Sequence, residues 1–346
     1  MRFPVFYGTK PKLSMNDLDN FSRGDYKCRI LLQTKRGAPV AIESREYATN
    51  LWNTLRGRRS STEVLSPGLD LSTSSHVLSA AAQDKYMAAL KKECLFRNLA
   101  TEIQAYDTDY RIKTTQNEDV SAWVPEGGSV TVTDGMEDFG ELALDRHKLV
   151  TSFMLENTFL QDNSFIIEKH LVSRLAQNFG RAEENAFING TGEHMPTGIL
   201  AEDGGADVGV TTAALSYDDV VKLFFGLKPR YRRNAVWLMN DETAYALRTL
   251  KDANGNYIWN HTNDTILGHK VFISEFMPNA ESGSKPIAFG DFRYYWIVNR
   301  SPVHIRPLVE KYIHIDCTGY RAYEFLDGKL VRPDAIKVIQ MTDTAA

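Results

Sequence analysis

The 346-residue chain has only three cysteines, Cys28, Cys94 and Cys317, far apart and without a CxxC. That spacing excludes a zinc knuckle and a redox pair, and buried apolar thiols in a reducing compartment are expected. No run of about 18 apolar residues occurs, so no membrane span is expected. The opening MRFPVFYGTKPK has a basic residue but no apolar stretch or small-residue cleavage site, so no signal peptide is read there. Missing too are GxxxxGKS/T, GxGxxG after a strand, HExxH, GxSxG and an EF-hand loop. The eight histidines (His76, His147, His170, His194, His261, His269, His304, His314) sit singly, and none pairs with a second histidine or a cysteine in a recognised two-ligand motif. Each is read as structural. No catalytic residue, cofactor or metal is therefore assigned.

What is present is ordinary in bulk and uneven in detail. Apolar residues make up 43% and charged residues 24%, as in a soluble globular chain long enough for one large or two modest domains. The net charge is only -4, yet residues 1–60 carry 12 Lys and Arg against 5 acids, a local excess of +7. A basic head on an acidic body wants an acidic partner, either nucleic acid or an acidic surface of another copy.

Along the chain, 1–75 is punctuated by Pro, Gly and Ser and reads as an extended basic arm, with a possible strand pair (CRILLQT, APVAIES) and a short helix from Arg45 to Leu55. Residues 76–96 space Val77, Ala81, Met87, Leu90 and Leu95 as a helix would. In 106–152, YRIKTT, SVTVT and HKLVTSFML have strand composition and bracket a crown rich in Gly, Asp and Glu, which predicts a long β-hairpin. Its crown bears Glu118, Asp119, Trp123, Glu126, Asp134, Glu137, Asp138 and Glu141, with no lysine between Lys113 and Lys148. An isolated two-stranded ribbon is marginal in water, so the hairpin is expected to rest on another chain.

A helix of roughly 25 residues follows, capped at Asn163 or Ser164, with apolar Ile167, Leu171, Leu175, Phe179, Ala182 and Ala186. It predicts a rod on the order of 38 Å. It is expected to stop at Asn189-Gly190 through a left-handed glycine, with Pro196 preventing a restart. Glu183 and Glu184 point about 100° apart and so make no acid/base pair; they read as solvated or salt-bridged. The segment around Gly190, Gly192 and Pro196 follows a helix, whereas a phosphate loop precedes one, so it reads as a structural joint. Beyond Pro196 the pattern alternates: a Ser216/Asp219 capping box opens a helix, AVWLMN is a buried strand and Asp241 to Leu250 is a helix. The stretch 302–340 suggests an antiparallel sheet with an Asp327-Gly328 turn. LKPRYRRN, holding Lys228, Arg230, Arg232 and Arg233, and the arm residues Arg56, Arg58 and Arg59 are candidate intersubunit or DNA-facing cations.

Several stretches together carry a resemblance. AWVPEGG followed by DFGELALDRHKLVTSFMLENTFLQD, FIIEKHLVSRLAQNFGRAEENAFINGTG with MPTGIL, KPRYRRNAVWLMNDETAYALRTLKDANGNYIW, LGHKVFISEFMP, IAFGDFRYYWIV and VRPDAIKVI, in this order from about residue 76 to the C-terminus, resemble the major capsid proteins of tailed bacteriophages, the Hong Kong 97-type fold. The resemblance implies an α+β fold: an N-arm (1–75), an N-terminal helix starting a peripheral domain (76–105), an E-loop hairpin (106–152), a spine helix (153–194), an axial domain (195–300) and C-terminal peripheral strands (301–346). It implies a virion capsid protein, assembled in the host cytoplasm through hexamers and pentamers into an icosahedral shell around double-stranded DNA. Portal protein, and scaffold, protease or cement proteins, would be partners; no membrane is involved.

Some members of that family weld subunits by an isopeptide bond from an E-loop lysine. This crown has none, so no crosslinking is expected. Residues 1–75 are too short and irregular for a long helical scaffolding domain and are expected to stay in the mature shell. Two other readings compete: an encapsulin-like compartment enclosing cargo enzymes, disfavoured by the long N-terminal region, and a hydrolase or nucleotide-binding enzyme at Gly190–Gly192, which lacks a nucleophile–base pair.

Overall fold

The computed structural model describes residues 44–58, 69–70, 75–105, 111–115, 139–162, 166–250, 259 and 265–343, with 69–70, 111–115 and 139–142 as backbone only. The expected strands before residue 44, the crown of the hairpin, Arg59 and the caps Asn163 and Ser164 lie outside these residues.

In chain order the first half contains α1 (Arg45–Leu55), β1 (Leu69–Asp70), β2 (Ser75–Val77), α2 (Ala80–Glu93), α3 (Phe96–Leu99), β3 (Thr101–Gln104), β4 (Arg111–Thr115), β5 (Phe139–Ala143), β6 (His147–Glu156), α4 (Asn157–Gln161) and α5 (Ile167–Asn189). The second half contains β7 (Asp207–Thr212), α6 (Tyr217–Gly226), α7 (Pro229–Arg232), β8 (Val236–Met239), α8 (Asp241–Thr249), β9 (Thr265–Ile266), β10 (His269–Ile273), β11 (Ile287–Gly290), β12 (Tyr295–Asn299), β13 (His304–Leu308), β14 (Cys317–Leu330) and β15 (Ile336–Met341).

The spine α5 is 23 residues long, and Leu171, Leu175, Phe179, Glu183 and Phe187 are buried at four-residue spacing, the stripe of an amphipathic helix. Ala182, expected on that stripe, is exposed instead. The upper part of the stripe packs with Tyr86 and Leu90 of α2 and with Tyr320 and Ala322 of β14. Tyr47 of α1 donates its hydroxyl to Val77 O at 2.6 Å, and Tyr320 donates to Leu55 O at 2.6 Å, so both ends of α1 are tied to this core.

One seven-stranded sheet runs β1-β2-β13-β14-β12-β3, with β6 along the other side of β14. All ten residues of β6 pair with β14, from His147 opposite Leu326 to Glu156 opposite Cys317. A six-stranded sheet, β7-β15-β11-β8-β10-β9, forms the second unit. One side of it meets the end of the spine through Phe187, Ile188, Ala288 and Val338. The other is filled by Trp237, Phe289, Ile339 and Leu223 of α6, and Trp237 stacks on Phe289 at 4.0 Å. The capping box is present: Ser216 N–H donates to Asp219 Oδ2 at 3.3 Å.

Four expectations fail, each through a long-range contact. Residues 76–96 are not one helix, because His76 and Val77 pair with Ile305 and His304, and α2 begins only after Ser79. The Asp327-Gly328 pair is no turn: it lies inside β14 opposite Val298 and Ile297. A Cβ on Gly328 would come within 2.6 Å of the Tyr295 hydroxyl and 3.0 Å of the Phe187 ring, so the glycine is there for close approach. Among the described residues the hairpin pairs β4 with β5, and β6, expected as one of its strands, pairs with β14 instead. The boundary at 300 does not follow the strands either: β12 joins the seven-stranded sheet, while β15, expected among the peripheral strands 301–346, sits between β7 and β11.

His76 is fully buried, and neither ring nitrogen has a hydrogen-bond partner among the described residues. Burial lowers its pKa from 6.5, because a charged ring there would lose its water. The folded state thus prefers the neutral ring, and its stability contribution is present above about pH 6.5 and lost as pH falls toward the depressed value. Denaturation midpoints of the parent are expected to fall more steeply between about pH 7 and 5 than those of His76→Leu; equal slopes would refute the assignment.

Candidate assembly surfaces and the polar cluster beneath them

The hairpin root is visible as β4 paired with β5, from Arg111 opposite Ala143 to Thr115 opposite Phe139. Among the described residues no other strand pairs with it. The crown residues Glu118, Asp119, Trp123, Glu126, Asp134, Glu137 and Asp138 belong to the segment between those strands, outside the described residues.

The basic patch 227–234 is largely satisfied within its own chain. Lys228 Nζ and Arg230 Nη2 reach Asp334 Oδ2 at 2.9 and 3.1 Å, and the Tyr231 hydroxyl donates to the same carboxylate. Burial would raise the Asp334 pKa, but hydrogen bonds from Lys228 and Tyr231 outweigh it and hold the carboxyl below its usual 3.8. Arg232 donates to Leu227 O at 2.7 Å and lies over the Phe224 ring at 4.7 Å. Only Arg233 points to solvent without a partner among the described residues. The patch expected to face another chain or DNA therefore spends most of its charge holding α7 to the turn before β15. Arg56 follows α1 as its C-cap, and Arg58 is exposed.

The joint departs from expectation in its mechanism. Gly190 is extended, at φ -62° and ψ 141°, not left-handed. It is glycine because a Cβ would stand 2.1 Å from Pro196 O and 2.4 Å from Ala186 O. Gly198 N–H donates to Gly190 O at 2.8 Å, and Thr191 bridges Thr197, so the loop doubles back along the end of the spine. Gly192, at φ +86°, takes the left-handed turn instead.

Glu183 and Glu184 are not solvated. Both are buried, and their divergence of about 100° sends them to different neighbours. Glu184 accepts from Leu95 N–H at 2.9 Å and from the Ser274 hydroxyl, tying spine to second unit. Glu183 accepts two bonds from Arg97, at 2.7 and 2.6 Å, with both side chains fully buried. Arg97 also reaches Glu102 at 3.3 Å and Asn299 Oδ1 at 3.2 Å. Beside them, Tyr86 donates to Glu324 Oε1 at 2.9 Å. Burial first, then the Glu183 charge, pushes the Glu324 pKa well above 4.5; the carboxyl hydrogen-bonds Glu183 and so carries the proton. Arg97 and Glu324 carried no sequence signal. Glu183 did: it falls four residues after Phe179 and four before Phe187, on the buried stripe.

Asp145, His147 and Asp327 bring three potential ligand atoms within 4.8 Å of one another. Lys329 Nζ lies 3.0 Å from Asp145 and 3.9 Å from Asp327, so the cluster already has a cation. Cys94 and Cys317 are free, buried thiols, and burial raises the Cys94 pKa, which makes it inert. No helix among the described residues is long and apolar enough to cross a membrane.

Comparison with known proteins adds to this geometry. The model of the phage capsid family matches residues 76–341. The capsid of a native GTA particle superposes with a TM-score of 0.59 at 27% identity, over 71% of this chain and 89% of that one. A chain of Mycobacterium phage Adephagia gives 0.52 at 14% identity, over 73% and 91%, and one of Gordonia phage Cozz 0.51 at 11%, over 73% and 87%. No curated protein sequence matches.

Proposed function

Because the chain belongs to the phage capsid family, whose members are structural proteins of the virion, we propose that it is the major subunit of a tailed-phage head, assembling through hexamers and pentamers into an icosahedral shell around double-stranded DNA. The observation that carries the reading is the family match over both sheets and the spine, from β2 to β15. The β4–β5 ribbon supports it, since a two-stranded element with no third strand among the described residues gains cover from a neighbouring subunit. A closed shell needs one chain to offer several different surfaces, and arm, ribbon and second unit are three. In this reading the seven-stranded sheet with the spine is the peripheral domain, the six-stranded sheet is the axial domain, and the Gly190–Pro196 loop is the rigid joint between them. Arg233 and the basic head contact packaged DNA or a neighbour. The work is assembly, with no catalytic step.

The test is electron microscopy of the purified, nuclease-treated assembly, with ultraviolet absorbance read on the same fractions. Icosahedral shells holding protected DNA are expected. Shells holding protein cargo would favour an encapsulin-like compartment, and a small oligomer would overturn the assembly reading. Boiled in detergent, the particles are expected to run as a single band of 39.1 kDa or less; a ladder of covalent multimers would show subunit welding.

A further inference from the structure

Among the described residues, Asp145, His147 and Asp327 each offer one metal-ligating atom within 4.8 Å of the other two. They meet where the chain leaves β5 at Ala143 and enters β6 at His147, against β14. Asp327 is fully buried, and two backbone donors hold its carboxylate, Asp145 N–H at 2.7 Å and Gly328 N–H at 2.8 Å. Its orientation is therefore fixed, as that of a metal ligand must be. His147 Nε2 is a buried atom 3.5 Å from Asp327 Oδ1, and it has no hydrogen-bond partner among the described residues. Bearing a proton, that nitrogen is too far from the oxygen for a good hydrogen bond; bare, it turns a lone pair toward a carboxylate. Either state leaves a buried polar atom that a cation between the two would satisfy.

The separation suits one kind of cation. A tetrahedral ion about 2.1 Å from a nitrogen and an oxygen sets them roughly 3.4 Å apart, close to the 3.5 Å between His147 Nε2 and Asp327 Oδ1. An imidazole with carboxylates is a ligand set for Zn²⁺ and its first-row neighbours, whereas Mg²⁺ and Ca²⁺ favour oxygen alone. Lys329 shows that the spot draws positive charge: its Nζ lies 2.8 Å from Ala143 O, 3.0 Å from Asp145 and 3.9 Å from Asp327. Yet one ammonium stands against two carboxylates, and it does nothing for His147 Nε2. Lys329 is also only half-buried, and its flexible stem lets the ammonium swing into water. We propose that Asp145, His147 and Asp327 form a Zn²⁺ site, with Lys329 as the internal cation that the metal displaces. The bound ion pins the link between β5 and β6 to β14. The inference concerns the subunit alone and stands apart from the assembly reading.

The test is titration of the chelator-treated full chain with Zn²⁺ by calorimetry, and with Co²⁺, whose visible absorption reports tetrahedral ligation. One Zn²⁺ per chain is expected, with affinity falling at least about tenfold in His147→Gln and in Asp145→Asn. Asp145 is exposed and His147 opens its strand, so neither change empties the core, as one at Asp327 would. Zn²⁺ is expected to raise the melting temperature of the parent and to leave that of His147→Gln unmoved. Lys329→Met removes the competing ammonium and is expected to bind Zn²⁺ about tenfold more tightly than the parent, a gain that a purely structural ion pair would not give. No saturable Zn²⁺ binding by the parent would overturn the proposal. So would binding undiminished in both His147→Gln and Asp145→Asn, which would place the ion elsewhere, or Lys329→Met binding no better than the parent.

Discussion

Arg97→Ala is expected to destabilise the folded subunit by about 3–5 kcal/mol, the cost of leaving one member of a buried ion pair without its partner. The reason is geometric. Arg97 sits on α3 and makes two bonds to Glu183 on the spine, one to Glu102 on β3 and one to Asn299 on β12. Its removal strands the Glu183 carboxylate at zero exposure. Glu324→Gln touches the same cluster with the opposite expectation. Glu324 is held protonated, and glutamine has nearly the shape of a neutral glutamic acid and can still donate toward Glu183. That variant should stay within about 1 kcal/mol of the parent near pH 4.5 and match or exceed it near pH 7. The pH dependence distinguishes them further. Since the folded pKa of Glu324 is raised above 4.5, its contribution is fully present below that value and lost as pH rises through the folded one. Urea titrations between about pH 5 and 9 are expected to show the parent losing this stability on the alkaline side and Glu324→Gln keeping it. Equal costs for Arg97→Ala and Glu324→Gln, or parallel pH profiles, would contradict a charged Glu183 beside a neutral Glu324.

Gly190→Ala is expected to cost about 3 kcal/mol or more and to leave little folded protein at 37 °C. The added methyl would sit 2.1 Å from Pro196 O and 2.4 Å from Ala186 O, both backbone atoms. Relief would require separating the returning loop from the spine and breaking the Gly198 N–H to Gly190 O bond. Gly192→Ala, two residues on, is the control. It is strained by φ +86° but meets only the Thr197 hydroxyl at 2.9 Å, so a cost near 1 kcal/mol is expected. Soluble yield and denaturation midpoints of the two variants measure the difference. Equal effects would mean that backbone conformation, not close approach, is what the joint requires.

Local chemistry was legible in the sequence and long-range pairing was not. The Ser216/Asp219 capping box, the helix Arg45–Leu55 and the spine follow from neighbours a turn apart, and the structure contains them. Asp327-Gly328 has turn composition, but whether a glycine turns the chain or admits a ring depends on Phe187 and Tyr295, both far earlier in the chain. Residues 76–77 were drawn from the helical pattern into a strand by β13. Glu183 shows what polarity leaves open: two adjacent glutamates read as solvated or salt-bridged, and only the partner Arg97, which the sequence does not point to, decides for the ion pair and makes a carboxylate acceptable on a buried stripe. The acidic composition of the crown is legible in the sequence, whereas the grouping of Arg146, Lys148, Arg306 and Arg321 is not, because they come together only through the register of three strands.

The place of β15 within its sheet has a bearing on how the subunit is made. This strand lies between β7 and β11, parallel to the first and antiparallel to the second. A ribosome finishes β7 roughly 130 residues before it finishes the strand that β7 needs. At about 5–20 residues per second that is a wait on the order of 6–25 s. Throughout that interval the nascent second unit has an open sheet, while α5 and β6 likewise wait for β14. A half-translated chain thus has neither sheet closed and no finished surface to offer a growing particle. Synthesis order alone therefore sets when the second sheet can close, because closure comes only once β15 is threaded between β7 and β11.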